Sequence, residues 1–282
     1  MPFKLGQRPA LDGLRGVSIL WVIAFHFRDA DHALPTRGGF LSVDVFFVLS
    51  GFLITALLLE EYHASGSIRF GAFYARRALR LLPALFVVVA VPIIRLLQWD
   101  GPGSVNRLYF STQTRADTLL AGCLLALLLS NGYIRGRASE IIRRFVPLAF
   151  AFSAFSLVFA YHLSPWIYKG GYTIFAVSTA IVLWAILERG FLRRLLESKP
   201  LLWVGRRSYG LYLWHWPIFN AALDHWGHAK VAGPVALPLT FLCAWASYRW
   251  IEMPFLRLKR KFSRARAPVD EVVTAPAILE PA

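Results

Sequence analysis

Eight apolar runs follow one another along this chain, each with a cluster of basic residues at one of its ends. Runs of 17–23 residues fall at 12–28, 38–60, 79–97, 117–133, 145–163, 171–188, 205–223 and 233–251. A helix of about 20 apolar residues is what a bilayer core requires. Inside lipid a backbone amide finds no water to bond, so such segments span as helices. Composition points the same way: 57% of residues are hydrophobic and 17% charged, where a soluble domain carries about a quarter charged residues. The expected fold is all-α, a polytopic integral membrane protein with about eight transmembrane helices.

The formal net charge of +15 would suggest nucleic acid in a soluble chain. Here topology explains it, because the basic residues lie between apolar runs. Numbering the gaps alternately, 24 of the 31 Lys and Arg fall on the N-terminal side, in the leader and in 61–80, 134–144, 189–207 and 249–266. Only Arg28, Arg37, Arg95, Arg107, Arg115, Lys169 and Lys230 fall on the other. An even number of spans returns the chain to the side it left, and the basic side faces the cytoplasm. Both termini are therefore expected there, with no nucleic acid as partner. Residues 8–260 read as the transmembrane domain and 261–282 as a basic, then disordered, cytoplasmic tail.

Several classes are disfavoured. Cys123 and Cys243 have no metal-ligand spacing and give no disulfide framework. Neither a metal site nor a nucleotide-binding loop is visible. The first apolar run, interrupted by Arg15 and His26, does not read as a cleavable signal. A secondary transporter built on inverted repeats is weakened by the absence of any fixed-period repeat.

Polar groups inside the apolar runs are where chemistry is sought, since ionisable side chains in lipid usually face a cavity or a path. Arg15 and His26 share the first run with ten residues between them. Eleven positions return to nearly the same helical face about 16 Å further on. This places Arg15 at the cytoplasmic rim and His26 toward the outer leaflet. Asp44 enters from outside on the second run, at similar depth. A carboxylate near an imidazole fixes its tautomer and stabilises its cation. His26 then reads as a general base oriented by Asp44; the bland alternatives are a buried structural hydrogen bond and a neutralising helix tie. Arg76, Arg77 and Arg80 lie at the cytoplasmic mouth of the third run, where guanidinium forks suit phosphate, though the positive-inside bias would also supply them. Arg115 and Asp117 open the fourth run, and His215 sits mid-run between Trp214 and Trp216, close to Pro217; these are further cavity candidates.

Several motifs occur together in order. They are Pro9-Ala10-Leu11-Asp12-Gly13-Leu14-Arg15-Gly16 with the interval to His26, Ser42-Val43-Asp44-Val45-Phe46-Phe47-Val48-Leu49-Ser50-Gly51-Phe52-Leu53-Ile54-Thr55, the Arg77-x-x-Arg80 pair running on through Leu81 and Leu82 to Pro83, and Tyr212-Leu213-Trp214-His215-Trp216-Pro217. Across residues 8–260 the chain resembles the acyltransferase 3 family of membrane proteins. The resemblance implies transfer of an acyl group, commonly acetyl, from cytoplasmic acyl-CoA to a carbohydrate or glycolipid hydroxyl outside a bacterial cytoplasmic (inner) membrane. It implies an essential histidine at His26 with Arg15 as its basic companion, and donor handling by Arg77 and Arg80. Acyl-CoA is then a substrate, with no permanently bound cofactor.

The chain departs from the family pattern in one respect. Members usually have about ten spans and an acidic Ser-Leu-Ala-Val-Glu-Glu-Gln-Phe-Tyr segment after the third, whereas here no Glu occurs between Glu61 and Glu140. Arg80–Val91 reads as the start of the third family helix and Pro92–Arg115 as the end of the fifth. An internally shortened member would lack part of its cavity wall. It is expected to leave a lateral opening between the third and fourth helices, or to cover it with a partner subunit. The alternative function is a non-catalytic relative that binds or translocates a lipid-linked or sugar ligand.

Overall fold

The computed structural model describes Gly6 and residues 8–27, 36–65, 116–161, 166–167, 171–188 and 190–256. Every regular element among the described residues is a helix. Helix α1 runs Pro9–His26, with proline in its first positions and Asp12 in its first turn. A proline costs nothing where the amide is unpaired anyway, and an acidic group there suits the helix dipole. A 3-10 turn, Gly39–Leu41, feeds α2, Ser42–Ser65. Then follow α3 (Ala116–Ser130), α4 (Arg137–Phe159), α5 (Tyr172–Leu187), the short α6 (Phe191–Leu196) and α7 (Lys199–Arg206), α8 (Ser208–Trp226) and α9 (Ala229–Ser247). Helix α8 stops where Gly227 takes a left-handed φ of 72°, its N–H bonded to the Leu223 carbonyl at 2.7 Å. A π turn, Tyr248–Glu252, continues α9.

Among the described residues, three helical stretches are long and apolar enough to cross a membrane: Gly39–His63, Arg137–Phe159 and Ala229–Leu256. Asp117–Ser130 and Tyr172–Leu187 are shorter apolar helices. Each expected span except 79–97 meets a helix; that third span lies outside the described residues, as does the opening expected beside it. Boundaries differ in two instructive places. Helix α4 begins at Arg137 rather than 145, because arginines end an apolar run without ending a helix. The span expected from 205 is instead a short α7 followed by α8, with Arg207 at the junction.

Close helix crossings are built on glycine. A Cβ on Gly13 would strike the Leu196 carbonyl, one on Gly16 the Leu201 carbonyl, and one on Gly205 the Asp12 carbonyl. Helix α1 therefore lies backbone to backbone against α6 and α7. The α2–α3 crossing repeats the device: Gly51 faces the Leu119 carbonyl and Gly122 the Val48 carbonyl. The Cys123 thiol also donates to the Gly51 carbonyl at 3.7 Å. Lipid offers no hydrophobic drive for helix association, so close van der Waals approach at small residues takes its place.

Two apolar clusters meet on α1. Phe40, Val48, Phe52, Ala126, Phe175 and Leu183 belong to the larger, which joins α2, α3 and α5. Ile19, Val22 and Ile23 of α1 join Val204, Leu211 and Ala244 in the second. Helix α4 turns Phe145, Leu148, Phe155 and Phe159 outward, the orientation expected of a helix bordered by lipid.

Candidate active site

His26 is the last residue of α1. Its Nδ1 lies 2.9 Å from the Val22 carbonyl one turn back. A carbonyl can only accept, so in the neutral ring Nδ1 carries the proton and Nε2 is the basic nitrogen. The ring meets two side chains of α8: its centroid is 5.1 Å from that of His215 and 4.9 Å from that of Trp216. One turn further along α8, Phe219 stacks on Phe27 at 4.5 Å, which fixes the end of α1 against this helix. Val22 and Ile23 of α1 share an apolar cluster with Leu211 of α8.

His215 is almost wholly buried, at 3% exposure. Its Nδ1 lies 2.6 Å from the Tyr212 carbonyl and 3.1 Å from that of Leu211. Pro217 lacks the amide that would otherwise reach the Leu213 carbonyl, yet the ring bonds to carbonyls earlier in the turn. Sequence reasoning placed His215 among cavity candidates; the structure puts it directly against His26.

Asp44 is completely buried in the first turn of α2. Its neighbour Val43 packs on the cluster formed by Ile19, Val22, Ile23 and Leu211. The carboxylate thus stands on an element packed beside the base, at the dipole-favoured end of its helix. Arg15 lies at the opposite end of α1. Its guanidinium pairs with Asp12 at 3.5 Å, and the second Asp12 oxygen lies 4.0 Å from Arg206 Nε. Sequence reasoning did not identify this Arg15–Asp12–Arg206 arrangement. Two of its members are local, but Arg206 arrives only through the glycine crossing of α1 with α7.

Asp117 has other work. One oxygen accepts the Thr118 amide at 2.9 Å and the other the Thr173 hydroxyl at 2.6 Å, tying α3 to α5. Arg76, Arg77, Arg80 and Arg115 lie outside the described residues. Among the described residues no cluster of three or more His, Cys, Asp or Glu could hold a metal. Trp216, which sequence reasoning noted only as a neighbour of His215, joins the site. Its signal was its place in the Trp-His-Trp-Pro run.

Residues 8–114 of the 282 match the acyltransferase 3 family model, described as an acyltransferase domain. Likeness extends beyond it. The chain is 26% identical to the O-acetyltransferase OatA of Staphylococcus aureus strain MRSA252, over 96% of its own length and 62% of the relative's. It is 27% identical to YrhL of Bacillus subtilis, provisionally named a peptidoglycan O-acetyltransferase, over 91% and 56%. A provisionally named O-acetyltransferase of S. aureus strain MSSA476 is 24% identical over 89% and 58%. The chain thus spans somewhat more than half the length of these relatives. The last alignment runs 352 positions against 282 residues here, so at least 70 (352 − 282) of the relative's aligned positions have no counterpart in this chain. No solved structure matches it.

Proposed function

We propose that this chain is a membrane acyltransferase that moves an acyl group, acetyl by analogy with its named relatives, from cytoplasmic acyl-CoA to a hydroxyl of an extracytoplasmic carbohydrate or glycolipid. The observation that carries the reading is His26: a ring at the end of an apolar helix, held with Nδ1 protonated and Nε2 basic, against His215 and Trp216.

In the proposed reaction His26 Nε2 takes the proton of the acceptor hydroxyl as its oxygen attacks the acyl carbonyl. Collapse of the tetrahedral intermediate breaks the carbon–sulfur bond, and the departing thiolate recovers the proton. Ester and free CoA thiol are the products, and no redox partner is needed. Asp44 would stabilise the imidazolium. Arg15, about 16 Å from His26 along the α1 axis at 1.5 Å per residue, belongs to the donor's side of the membrane rather than to the oxyanion. Arg76, Arg77 and Arg80 would meet the CoA phosphates on that side. The setting we propose is a bacterial cytoplasmic membrane, crossed eight times with both termini inside.

The shortened alignment favours one further reading, a relative that binds or translocates a sugar ligand without chemistry. Labelled acetyl-CoA supplied to the purified chain in proteoliposomes separates the two. Acyl transfer is expected, and His26→Ala should lower it by roughly 10²–10⁴, the usual contribution of a general base, with membrane insertion unchanged. Full turnover in that variant would remove His26 from the chemistry.

A further inference from the structure

His215 carries a lone pair with nothing bonded to it. Two carbonyls share its Nδ1, at 2.6 and 3.1 Å. Both are acceptors, so Nδ1 holds the ring proton and the neutral ring presents Nε2 as an acceptor only. That Nε2 is buried and has no hydrogen-bond partner. An orphaned acceptor in a low-dielectric interior is costly, and such atoms call for an explanation. His26 is held in the same tautomer by Val22. Each ring is tethered to its own helix through Nδ1, so each Nε2 lies on the side turned away from that helix. The two ring centroids are 5.1 Å apart.

We propose that His215 Nε2 is a second hydroxyl-binding position of the acceptor pocket, accepting a hydrogen bond from a hydroxyl adjacent to the one that His26 deprotonates. The inference rests on the acyl-transfer reading of His26 and deepens it. An acceptor-only nitrogen at this place rejects a carbonyl, carboxylate or phosphate oxygen and takes a donor. The ligand class that brings two hydroxyl donors side by side is a polyol, with a carbohydrate ring as its commonest form. Trp216, whose ring meets His26 at 4.9 Å, supplies an apolar surface for the C–H face of such a ring. A simple alcohol would satisfy His26 and leave His215 unpaired, so discrimination between the two classes is the function assigned to His215.

The test uses the full chain in proteoliposomes, acetyl-CoA as donor, and two acceptor probes: methyl glucoside, a polyol, and cyclohexanol, a lone hydroxyl. Wild type is expected to prefer the glucoside. His215→Phe should cut that preference, read as the ratio of kcat/KM for the two probes, about tenfold, the size of one buried hydrogen bond. His215→Gln, whose amide oxygen can accept, should fall between. An unchanged preference in His215→Phe overturns the proposal. A readout free of catalysis uses zinc, since two imidazole rings whose centroids lie 5.1 Å apart are close enough to share one ion, with water completing the shell. Wild type should bind a Zn2+ ion that His26→Gln and His215→Gln each lose, and equal binding by all three overturns the pairing. Transfer to neither probe by wild type would count against the acyl-transfer reading, and the zinc measurement would then decide the histidine pair alone.

Discussion

His26 stands out as a candidate because an ionisable ring in an apolar run has few reasons to be there. His215 was a candidate too, but its place against His26 was not readable. The contact with His215 joins residues far apart in sequence and depends on how α1 crosses α8, which no local pattern encodes. Asp44 stood out for the same reason as His26, and its complete burial sharpens the expectation. Asp44→Asn keeps the shape and removes the charge. A hydrogen bond to a charged group contributes about 1.5–3 kcal/mol, so turnover should fall roughly ten- to a hundredfold while acyl-CoA binding holds; an unaltered rate would leave Asp44 a helix tie. Asp117 shows the opposite outcome. It was equally visible in the sequence, yet its oxygens are taken by Thr118 and Thr173, a use set by the packing of α5. On the donor side, Arg77→Ala with Arg80→Ala should weaken acyl-CoA binding measured directly, and lysine at both positions should restore it only in part, since an ammonium lacks the planar fork. Unchanged acyl-CoA affinity would assign both arginines to topology.

At the scale of elements, hydropathy located the helices well and their junctions poorly. Apolar length marks what lies in lipid, while a helix continues past the last apolar residue until its backbone is stopped. This is why α4 reaches back to Arg137 and why the break before α8 falls at Arg207. The glycine crossings passed unread for a different reason: one glycine among many looks alike until a neighbour's carbonyl sits where its Cβ would be. Gly51→Leu should therefore destabilise the α2–α3 pair by at least the roughly 1–3 kcal/mol typical of overpacking. Thermal denaturation followed by size-exclusion chromatography in detergent reads this directly, with Gly233→Leu in α9 as control, since a Cβ there meets nothing within 4 Å. Equal melting of both variants would mean the crossing can open without penalty.

For the whole molecule, the distribution of 24 against 7 basic residues predicts its orientation. Reporter fusions after residues 33, 105 and 167 should score periplasmic, and those after 66, 138 and 198 cytoplasmic. A cytoplasmic score at 105 would break the eight-span arrangement. The all-helical architecture was readable because lipid leaves the backbone so few choices. The relation between distant sites was not, and it follows from the way α1 is held. One end of that helix is clasped by Gly205 against Asp12, while the other carries His26 to His215. Gly205 is three positions before Ser208, the start of α8, so both arms of the histidine pair spring from one joint, like tweezers. His26 lies ten positions beyond Gly16, an arm of about 15 Å, and a tilt of a few degrees at the joint moves the tip by about 1 Å. Misplacement on that scale can cost about a hundredfold in rate. Gly205→Ala, far from the reacting atoms and at the opposite end of α1 from His26, should therefore slow transfer as though it had been made beside His26.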